Sequence, residues 1–300
     1  MLLHWSFILL FVFLLYYGCS ENYSLHEFLW WAAFGGALFL SILLHEFGHA
    51  LMAKRYGVKT KDITLLPIGG MARLNRLPDK PKHELLVAVA GPLVNVGIAI
   101  LLVPHFWWIV KPALAQHEIP APENIDNDFF FFLPLLLFLN LLLAVFNMLP
   151  AFPMDGGRML RALLSIKWGR LRATKAAVFI GHFIAAAMVI FGIWRNQLSY
   201  TFIGAFIYFT ANREYRWVKT ESLLKSIKVS DLIASGIIIF ENINSLPDLS
   251  IDANDNLKKA NEIMQQHDRY ELAVHENGVP IGVLENEKMW DYISEMEKEK

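Results

Sequence analysis

The sequence predicts an α-helical polytopic membrane protein that ends in a small soluble α+β module. Of its 300 residues, 55% are hydrophobic and 13% aromatic. The mean hydropathy of +0.38 is that of a chain richer in apolar residues than an ordinary soluble domain. The apolar residues fall in long runs up to about residue 212, and charged residues are scattered evenly after Arg213. We therefore expect a membrane domain over residues 1–212, a linker over 213–228 and a cytoplasmic module over 229–300.

Six apolar runs are candidates for crossing the ~30 Å hydrocarbon layer of a bilayer. The first and last are short, and we expect them to tilt or to be shielded by neighbouring helices. We expect the first to be retained as a span, because no Lys or Arg precedes its apolar part as in a cleaved signal. The six runs are residues 2–17, 25–52, 85–110, 129–149, 173–194 and 198–211.

Positive charge is concentrated in alternate loops. Lys and Arg are frequent after the second and fourth runs and scarce in the loops between the others. The positive-inside rule then predicts a multi-pass protein of the cell membrane with both termini in the cytoplasm. The net charge of -1 gives no reason to expect a nucleic acid partner, so the lipid bilayer is the expected environment. The single cysteine, Cys19, excludes an internal disulfide and a cysteine-rich zinc site.

The second run contains the segment LLHEFGHAL, which indicates a metal site. His45 and His49 are four residues apart, so they share one face of a helix and can bind one metal ion. Glu46 is near enough to accept a proton from a water molecule on that metal as the water attacks a carbonyl. Two imidazoles and a carboxylate are costly to bury in a membrane unless they bind something. The motif therefore predicts a zinc peptidase site, close to the cytoplasmic end that Lys54 marks.

A second segment, NMLPAFPMDGGR, follows the fourth run. Pro150 and Pro153 break the helix there, and the glycine pair after Asp155 lets the backbone turn. Asp155 is thereby expected at the same depth as the two histidines. Two imidazoles and one carboxylate, with a fourth position left for water, are a standard catalytic zinc set. The alternative is that Asp155 only caps the helix that follows.

The loop over residues 58–77 alternates apolar and polar residues and then contains a glycine pair. This pattern predicts a short hairpin at the membrane edge. Either the hairpin is a surface feature without a role, or its edge strand pairs with an extended substrate segment. In the second case the contact residues are Ile63, Leu65, Gly69 and Gly70.

The third run opens with AGPLVN. Gly91 and Pro92 permit a kink and a close approach of helices, and Asn95 can hydrogen-bond a neighbour. Packing alone explains these three residues, so we expect them to be structural, like Pro150 and Pro153.

The two motifs together resemble the site-2 protease family of intramembrane zinc metalloproteases, over roughly residues 25–161. The AGPLVN and PIGG segments also fit that family. The resemblance implies one Zn2+ bound by His45, His49 and Asp155, with Glu46 as general base. It also implies that Asn147 holds the substrate or the developing oxyanion. The implied substrate is a transmembrane segment of a membrane-bound precursor, cleaved in regulated intramembrane proteolysis, usually after a first protease has trimmed it.

The soluble tail is expected to contain a strand at 249–251, a helix at 256–266, strands at 271–275 and 280–284, and a helix from Lys288. This order resembles a single CBS repeat, as in one subgroup of the site-2 proteases. Such repeats pair around an adenine nucleotide, which implies a homodimer. Relatives that bind nucleotide usually have Ser or Thr and then Asp where this chain has Glu285 and Lys288, so dimerisation or substrate docking stays open as an alternative.

Two other classes of protein compete with the protease. A metal transporter also places His and carboxylate in a membrane, but it needs sites that alternate between two faces, and no inverted repeat is visible. An inactive scaffold that binds transmembrane segments would not need His45, Glu46, His49 and Asp155 together. The protease interpretation uses all four.

Overall fold

The computed structural model describes residues 2–3, 16, 24–58, 60–66, 69–74, 80–115, 128–236 and 247–299. The chain divides into two compact units, Met1–Ala211 and Asn212–Lys300. Most of the expected first span, residues 2–17, and most of the loop after the third span lie outside the described residues. The first unit contains the apolar helices.

Long helices form the first unit. The helix that carries the histidine motif starts after Ser24, whose hydroxyl accepts from the backbone N–H of Glu27 while the Glu27 carboxylate accepts from the N–H of Ser24. This reciprocal capping box fixes the start of the helix. The helices are α1 (Leu25–Arg55), α2 (Pro81–Ala115), α3 (Asp128–Asn147), α4 (Asp155–Trp168), α5 (Arg170–Trp194) and α6 (Leu198–Ser226).

Within the described residues, three helical segments are long and apolar enough to cross a membrane. They are Leu25–Arg55, Pro81–Trp108 and Arg170–Trp194, and Phe132–Asn147 is a shorter apolar segment. The expected last span, residues 198–211, is the first half of α6, which continues without a break into a charged second half. These helices are those of a membrane protein, and the count of six spans stays a prediction.

A three-stranded sheet combines a hairpin between α1 and α2 with a short strand that precedes α1 in the chain. It contains β1 (Leu2–Leu3), β2 (Thr60–Leu66) and β3 (Gly69–Leu74) in the order β1-β2-β3. β2 and β3 pair antiparallel from Thr60 opposite Leu74 to Leu66 opposite Gly69. β1 pairs parallel with β2, with Leu2 opposite Thr64 and Leu3 opposite Leu65.

The sheet changes two expectations. Leu2 and Leu3 belong to a strand, so the first apolar run does not begin as a helix at residue 2. Ile63 and Leu65 lie in the central strand β2, which has a neighbour on both sides, whereas the expectation put them on an edge strand. β1 has two residues and pairs with Thr64 and Leu65, so Leu65 is paired on this side while the place of Ile63 as a substrate contact stays a prediction. Gly69 and Gly70 lie in β3, which is at the edge of the described sheet.

Close packing and a buried ion cluster hold the helices of the first unit together. Gly48 lets α1 approach α2, because a Cβ there would come within 2.8 Å of the Ala90 carbonyl oxygen. Glu84, in the first turn of α2, accepts from Nε of Arg161 in α4 at 2.7 Å and from Nη2 of Arg170 in α5 at 3.3 Å. Arg161 is fully buried and Glu84 is 5% exposed. The cluster joins the first turns of α2 and α5 to the middle of α4.

The second unit is an α+β module. It contains the end of α6, then α7 (Val229–Ala234), β4 (Ser250–Asp252), α8 (Leu257–His267), β5 (Glu271–Glu276), β6 (Val279–Glu285) and α9 (Asn286–Glu299). The strand order is β4-β5-β6, with β4 parallel and β6 antiparallel to β5. Asn277 and Gly278 connect β5 to β6 with φ of 52° and 81°, as the Asn-Gly pair predicts.

The expected linker is part of this module. Residues 213–226 are helical, and Leu223, Leu224 and Ile227 belong to the same buried core as Leu257, Leu272 and Leu284. These side chains need cover from water, so the helix that bears them packs with the module. The compact unit begins at Asn212, and a separate linker over residues 213–228 stays a prediction.

Candidate metal centre

α1 carries a buried stripe of residues at every fourth position. Ser41, His45, His49 and Ala53 lie on one side of the helix, and each histidine is only 6% exposed. A helix advances ~100° per residue, so residues four apart lie almost above one another. The Nε2 atoms of His45 and His49 are 3.1 Å apart.

Asp155 reaches these histidines from the start of α4. Oδ2 of Asp155 lies 3.2 Å from Nε2 of His45 and 3.1 Å from Nε2 of His49. The turn before α4 is compact, because Met154 N–H donates to the Ala151 carbonyl. Gly156 has no room for a side chain, since a Cβ there would overlap the carbonyl oxygens of Met148 and Leu149. The turn that contains Pro150, Pro153 and Gly156 thus brings Asp155 to the histidines, as the sequence predicts.

Hydrogen bonds at the far side of each ring define the state of the histidines. Nδ1 of His49 lies 2.7 Å from the carbonyl oxygen of Val87, which can only accept, so this nitrogen donates. Nδ1 of His45 lies 2.5 Å from Oδ1 of Asn95. In the neutral imidazoles both Nε2 atoms then carry lone pairs. These two lone pairs and a carboxylate oxygen lie within 3.2 Å of one another, an arrangement that calls for a cation between them.

The donor set fits zinc. Ligands bound tetrahedrally at about 2.0–2.1 Å lie about 3.3–3.4 Å apart, close to the separations of 3.1 to 3.2 Å found here. Neutral imidazole and carboxylate are ligands that zinc takes in catalytic sites. The three side chains are the metal-ligating cluster that stands out among the described residues. The hydrogen bonds at Nδ1 orient each ring as in known metal sites.

Glu46 lies beside this cluster, and Asn147 ends the helix that leads to the Asp155 turn. Glu46 is half-buried, and its charge interacts with His45, His49, Asp155 and Arg158. Asn147 is half-buried at the last position of α3, where the motif that ends in Asp155 begins.

Other residues of the sequence motifs lie at packed positions or in turns. Gly91 lies against the histidine rings, because a Cβ there would overlap Nε2 of His49 and come 2.7 Å from Nε2 of His45. Pro92 is buried within α2, which continues through it. Pro150 and Pro153 are exposed in the turn between α3 and α4.

The sequence analysis missed two groups of residues around the site. Asn140 and Ser41 lie behind Asn95 and are buried. The sequence did mark both as polar residues within apolar runs, and a membrane rarely tolerates such a residue without a hydrogen-bond partner. The carbonyl of Val87 and the ion pair of Glu84 with Arg161 had no comparable signal, because both depend on how the helices pack.

A buried set of two imidazoles and one carboxylate on apolar helices, with a glutamate beside it, defines a membrane metallohydrolase. Comparison with known families agrees with this class. The chain belongs to peptidase family M50, whose model matches residues 33–116 and 113–191. The protein is therefore an intramembrane zinc metalloprotease, and its cofactor is Zn2+.

The chain is also similar to individual proteins. The chain is 36% identical over 284 residues to zinc metalloprotease MJ0392 of Methanocaldococcus jannaschii, covering 94% of this chain and 74% of that protein. It is 30% identical over 151 residues to stage IV sporulation protein FB of Bacillus subtilis, covering 47% of this chain and 46% of the relative. Among solved structures, the site-2 protease from Methanocaldococcus jannaschii is 38% identical, with a TM-score of 0.48, over 71% of this chain and 89% of that one.

Proposed function

We propose that this protein cleaves a transmembrane segment of a membrane-bound substrate protein, with His45, His49 and Asp155 as zinc ligands and Glu46 as general base. The observation that carries the proposal is the convergence of three donor atoms from segments 110 residues apart, in a buried place on apolar helices. The large apolar side chains of Leu44, Phe47 and Leu51 interleave with the ligands on α1 and are exposed. An apolar surface of this kind favours a substrate that arrives from the lipid.

The chemistry follows from the positions of the side chains. Zinc bound there supplies Lewis-acid chemistry that polarises a peptide carbonyl and lowers the pKa of water. Glu46 accepts a proton from the water molecule whose oxygen forms the new bond to the carbonyl carbon. It then gives that proton to the leaving amide nitrogen as the C–N bond breaks. The side-chain amide of Asn147 donates to the carbonyl oxygen while negative charge develops on it.

The substrate must lose its helix locally before this reaction. A peptide bond inside a helix has its carbonyl hydrogen-bonded and its flanks covered, so water cannot attack it. We expect helix-breaking residues near the cleavage point to increase cleavage.

The unwound segment needs hydrogen-bond partners, and β3 offers them. In the described part of the sheet β3 pairs with β2 on one side, so its other side is the open edge, and β3 contains Gly69 and Gly70. Pairing with β3 would satisfy the backbone of an extended segment. Alternate N–H groups of an antiparallel strand point to its partner and away from it. Met71 and Ala72 are consecutive in β3, so the backbone N–H of one of them points outward, away from β2. Proline at that position removes the outward N–H, and the variant should lose cleavage of the membrane substrate while the fold persists.

We further propose six spans, with both termini in the cytoplasm, in a protease that acts after a first cleavage of its substrate. Because β1 pairs with β2, the N-terminus and the hairpin should lie on the same side of the membrane. Lys54 and Arg55 close α1 near that side. Trp30 contacts Phe132 at the other end of α1, with ring centroids 5.9 Å apart, and aromatic clusters are typical of a membrane interface.

For the tail, we propose a CBS-like module that pairs two copies of the chain. The two positions that bind nucleotide in some relatives are Glu285 and Lys288 here, and their side chains pair with each other at 2.5 Å. This ion pair favours dimerisation or substrate docking over adenine nucleotide binding. Equilibrium binding of ATP to the tail, measured beside its sedimentation, tests both roles.

One variant separates the protease from its competitors. Glu46→Gln removes the proton acceptor but leaves the donor set, so cleavage of a co-expressed membrane substrate should fall by about 10²–10⁴-fold. Zinc content should stay that of the wild type. Glu276→Gln is the matched control, because Glu276 is exposed in the second unit.

Each alternative has its own outcome in that experiment. A transporter keeps its metal flux in Glu46→Gln, and a scaffold cleaves no substrate even as the wild type. Cleavage by Glu46→Gln at the wild-type rate would contradict the role of Glu46 as the base.

A further inference from the structure

A chain of buried polar side chains lies behind His45. Asn95 and Asn140 are fully buried, and Ser41 is 3% exposed. Nδ2 of Asn95 donates to Oδ1 of Asn140 at 3.0 Å, and Nδ2 of Asn140 lies 3.2 Å from Oγ of Ser41. The chain joins α1, α2 and α3 among apolar residues. Polar groups at such a place are costly unless each of them has a partner.

The direction of these hydrogen bonds is determined at one end. Nδ2 of Asn140 lies 2.9 Å from the carbonyl oxygen of Leu136, which can only accept a hydrogen bond. This contact fixes the orientation of the Asn140 amide, so its oxygen faces Asn95. Asn95 must then present its NH₂ group to Asn140 and its own oxygen to His45. The hydroxyl of Ser41 donates to the Ala37 carbonyl and is free to accept from Asn140.

The same direction determines the tautomer of His45. Oδ1 of Asn95 can only accept, so Nδ1 of His45 carries the hydrogen. The lone pair is then on Nε2, which faces Asp155 and His49. His49 reaches the same state through the backbone carbonyl of Val87. The two ligands thus differ: a carbonyl orients one, and a relay of side chains orients the other.

We propose that Asn140, acting through Asn95, is a positioning residue that holds His45 in the tautomer able to bind zinc. Asn140 touches no zinc ligand, so its effect passes through the amide of Asn95. An asparagine suits this role in a membrane, because its amide is directional and stays uncharged. Residues that orient metal ligands in this way typically raise metal affinity by about 10- to 100-fold, and we expect an effect of that size here.

The test is the zinc affinity of the full-length protein in detergent, measured by competition with a chelator of known affinity. Asn140→Leu has the same number of side-chain heavy atoms but no acceptor for Asn95, and its zinc affinity should fall by about 10- to 100-fold. Asn140→Asp keeps an oxygen toward Asn95 and, when protonated, a donor toward Leu136. Its affinity should stay within about threefold of the wild type, well inside the effect expected of Leu.

A role in packing alone predicts the opposite order. Leucine suits an apolar interior, whereas a buried carboxyl group is costly there. Thr174→Val is the matched control, because the Thr174 hydroxyl is fully buried and bonded to the Arg170 carbonyl, outside the relay. That variant should bind zinc as the wild type does.

The outcomes decide the proposal. If Asn140→Leu binds zinc like the wild type, or if Asn140→Asp loses as much affinity as Asn140→Leu, Asn140 does not set the tautomer. If the leucine variant does not fold, as judged by its thermal unfolding without zinc, Asn140→Ala takes its place. Alanine also lacks an acceptor and introduces no bulk, so the same comparison with Asn140→Asp applies.

Discussion

At the scale of single residues, Gly91 is a position beside the metal centre where a larger residue has no room. The Cα of Gly91 lies so close to the imidazoles that a methyl group would overlap Nε2 of His49 and crowd Nε2 of His45. We expect Gly91→Ala to lower zinc affinity by about ten- to a hundredfold, because relieving such overpacking costs about 1–3 kcal/mol. Chelator competition on the purified protein measures the change.

Gly97→Ala is the control for this prediction. Gly97 lies in the same helix, and a Cβ there would meet nothing within 4 Å. The same gain of a methyl group should therefore leave zinc affinity unchanged. Equal losses in both variants would mean that the helix, and not the contact with the rings, responds to the substitution.

The residues of the metal centre differ in how far sequence can predict them. His45 and His49 follow from helix periodicity, and Asp155 from the breaks that Pro150 and Pro153 impose. Their convergence is seen in the structure, and their chemical roles stay a prediction. Asn140 could not be assigned a partner, because an amide in an apolar run can turn toward any neighbouring helix. Only the packing of α3 against α2 shows that its partner is Asn95.

At the scale of elements, the position of α4 depends on a buried ion pair. Glu84 of α2 holds Arg161, and α4 begins with Asp155. We expect Glu84→Gln to lower the free energy of unfolding by about 3–5 kcal/mol, since it removes the negative charge that pairs with the buried guanidinium group of Arg161. Thermal unfolding of the full-length protein in detergent measures the loss.

Two further variants make that result specific. Glu84→Gln combined with Arg161→Met should recover part of the stability, because the buried charge that Glu84 no longer balances is gone. Lys259→Met breaks an exposed pair with Asp255 and should change stability by less than about 1 kcal/mol. If the double variant loses as much stability as Glu84→Gln and Arg161→Met lose separately in sum, the two residues do not act as a pair.

The elements also show where pattern reasoning stops. The alternation in residues 59–66 and the glycine pair predict strands that the structure contains as β2 and β3. Strand order is a different property, since the neighbour of β2 comes from residues 2–3, far away in the chain. In the same way, the charged residues after Arg213 suggest a linker, yet charge does not end a helix, and α6 continues to Ser226.

At the scale of the whole molecule, the chain combines two kinds of stability. In the first unit, large apolar side chains such as Phe183 and Leu101 are exposed, as suits a lipid environment. The second unit has a buried apolar core of the kind that stabilises a domain in water. The boundary between the two units lies within α6, at Ala211 and Asn212, where the change in composition marks it only approximately.

The core of the second unit leads to a prediction about its boundary. Leu223, Leu224 and Ile227 are 6%, 6% and 7% exposed and pack with the module. A fragment of residues 212–300 should therefore unfold cooperatively in water. A fragment of residues 229–300 loses three buried side chains worth about 1.5–3 kcal/mol each, which is a large share of a typical domain's 5–15 kcal/mol. Circular dichroism during heating compares the two.

Point variants in the longer fragment separate the loss of core from the loss of chain length. Leu224→Ala should lower the free energy of unfolding by about 2–5 kcal/mol, as large-to-small changes in cores do. Lys225→Ala is the neighbouring control, because the Lys225 side chain is 41% exposed and pairs with Glu221 one turn away, a contact worth about 0.3–0.5 kcal/mol. If residues 229–300 melt at the same temperature as 212–300 and Leu224→Ala changes nothing, the end of α6 is a linker after all, as its charge pattern suggests.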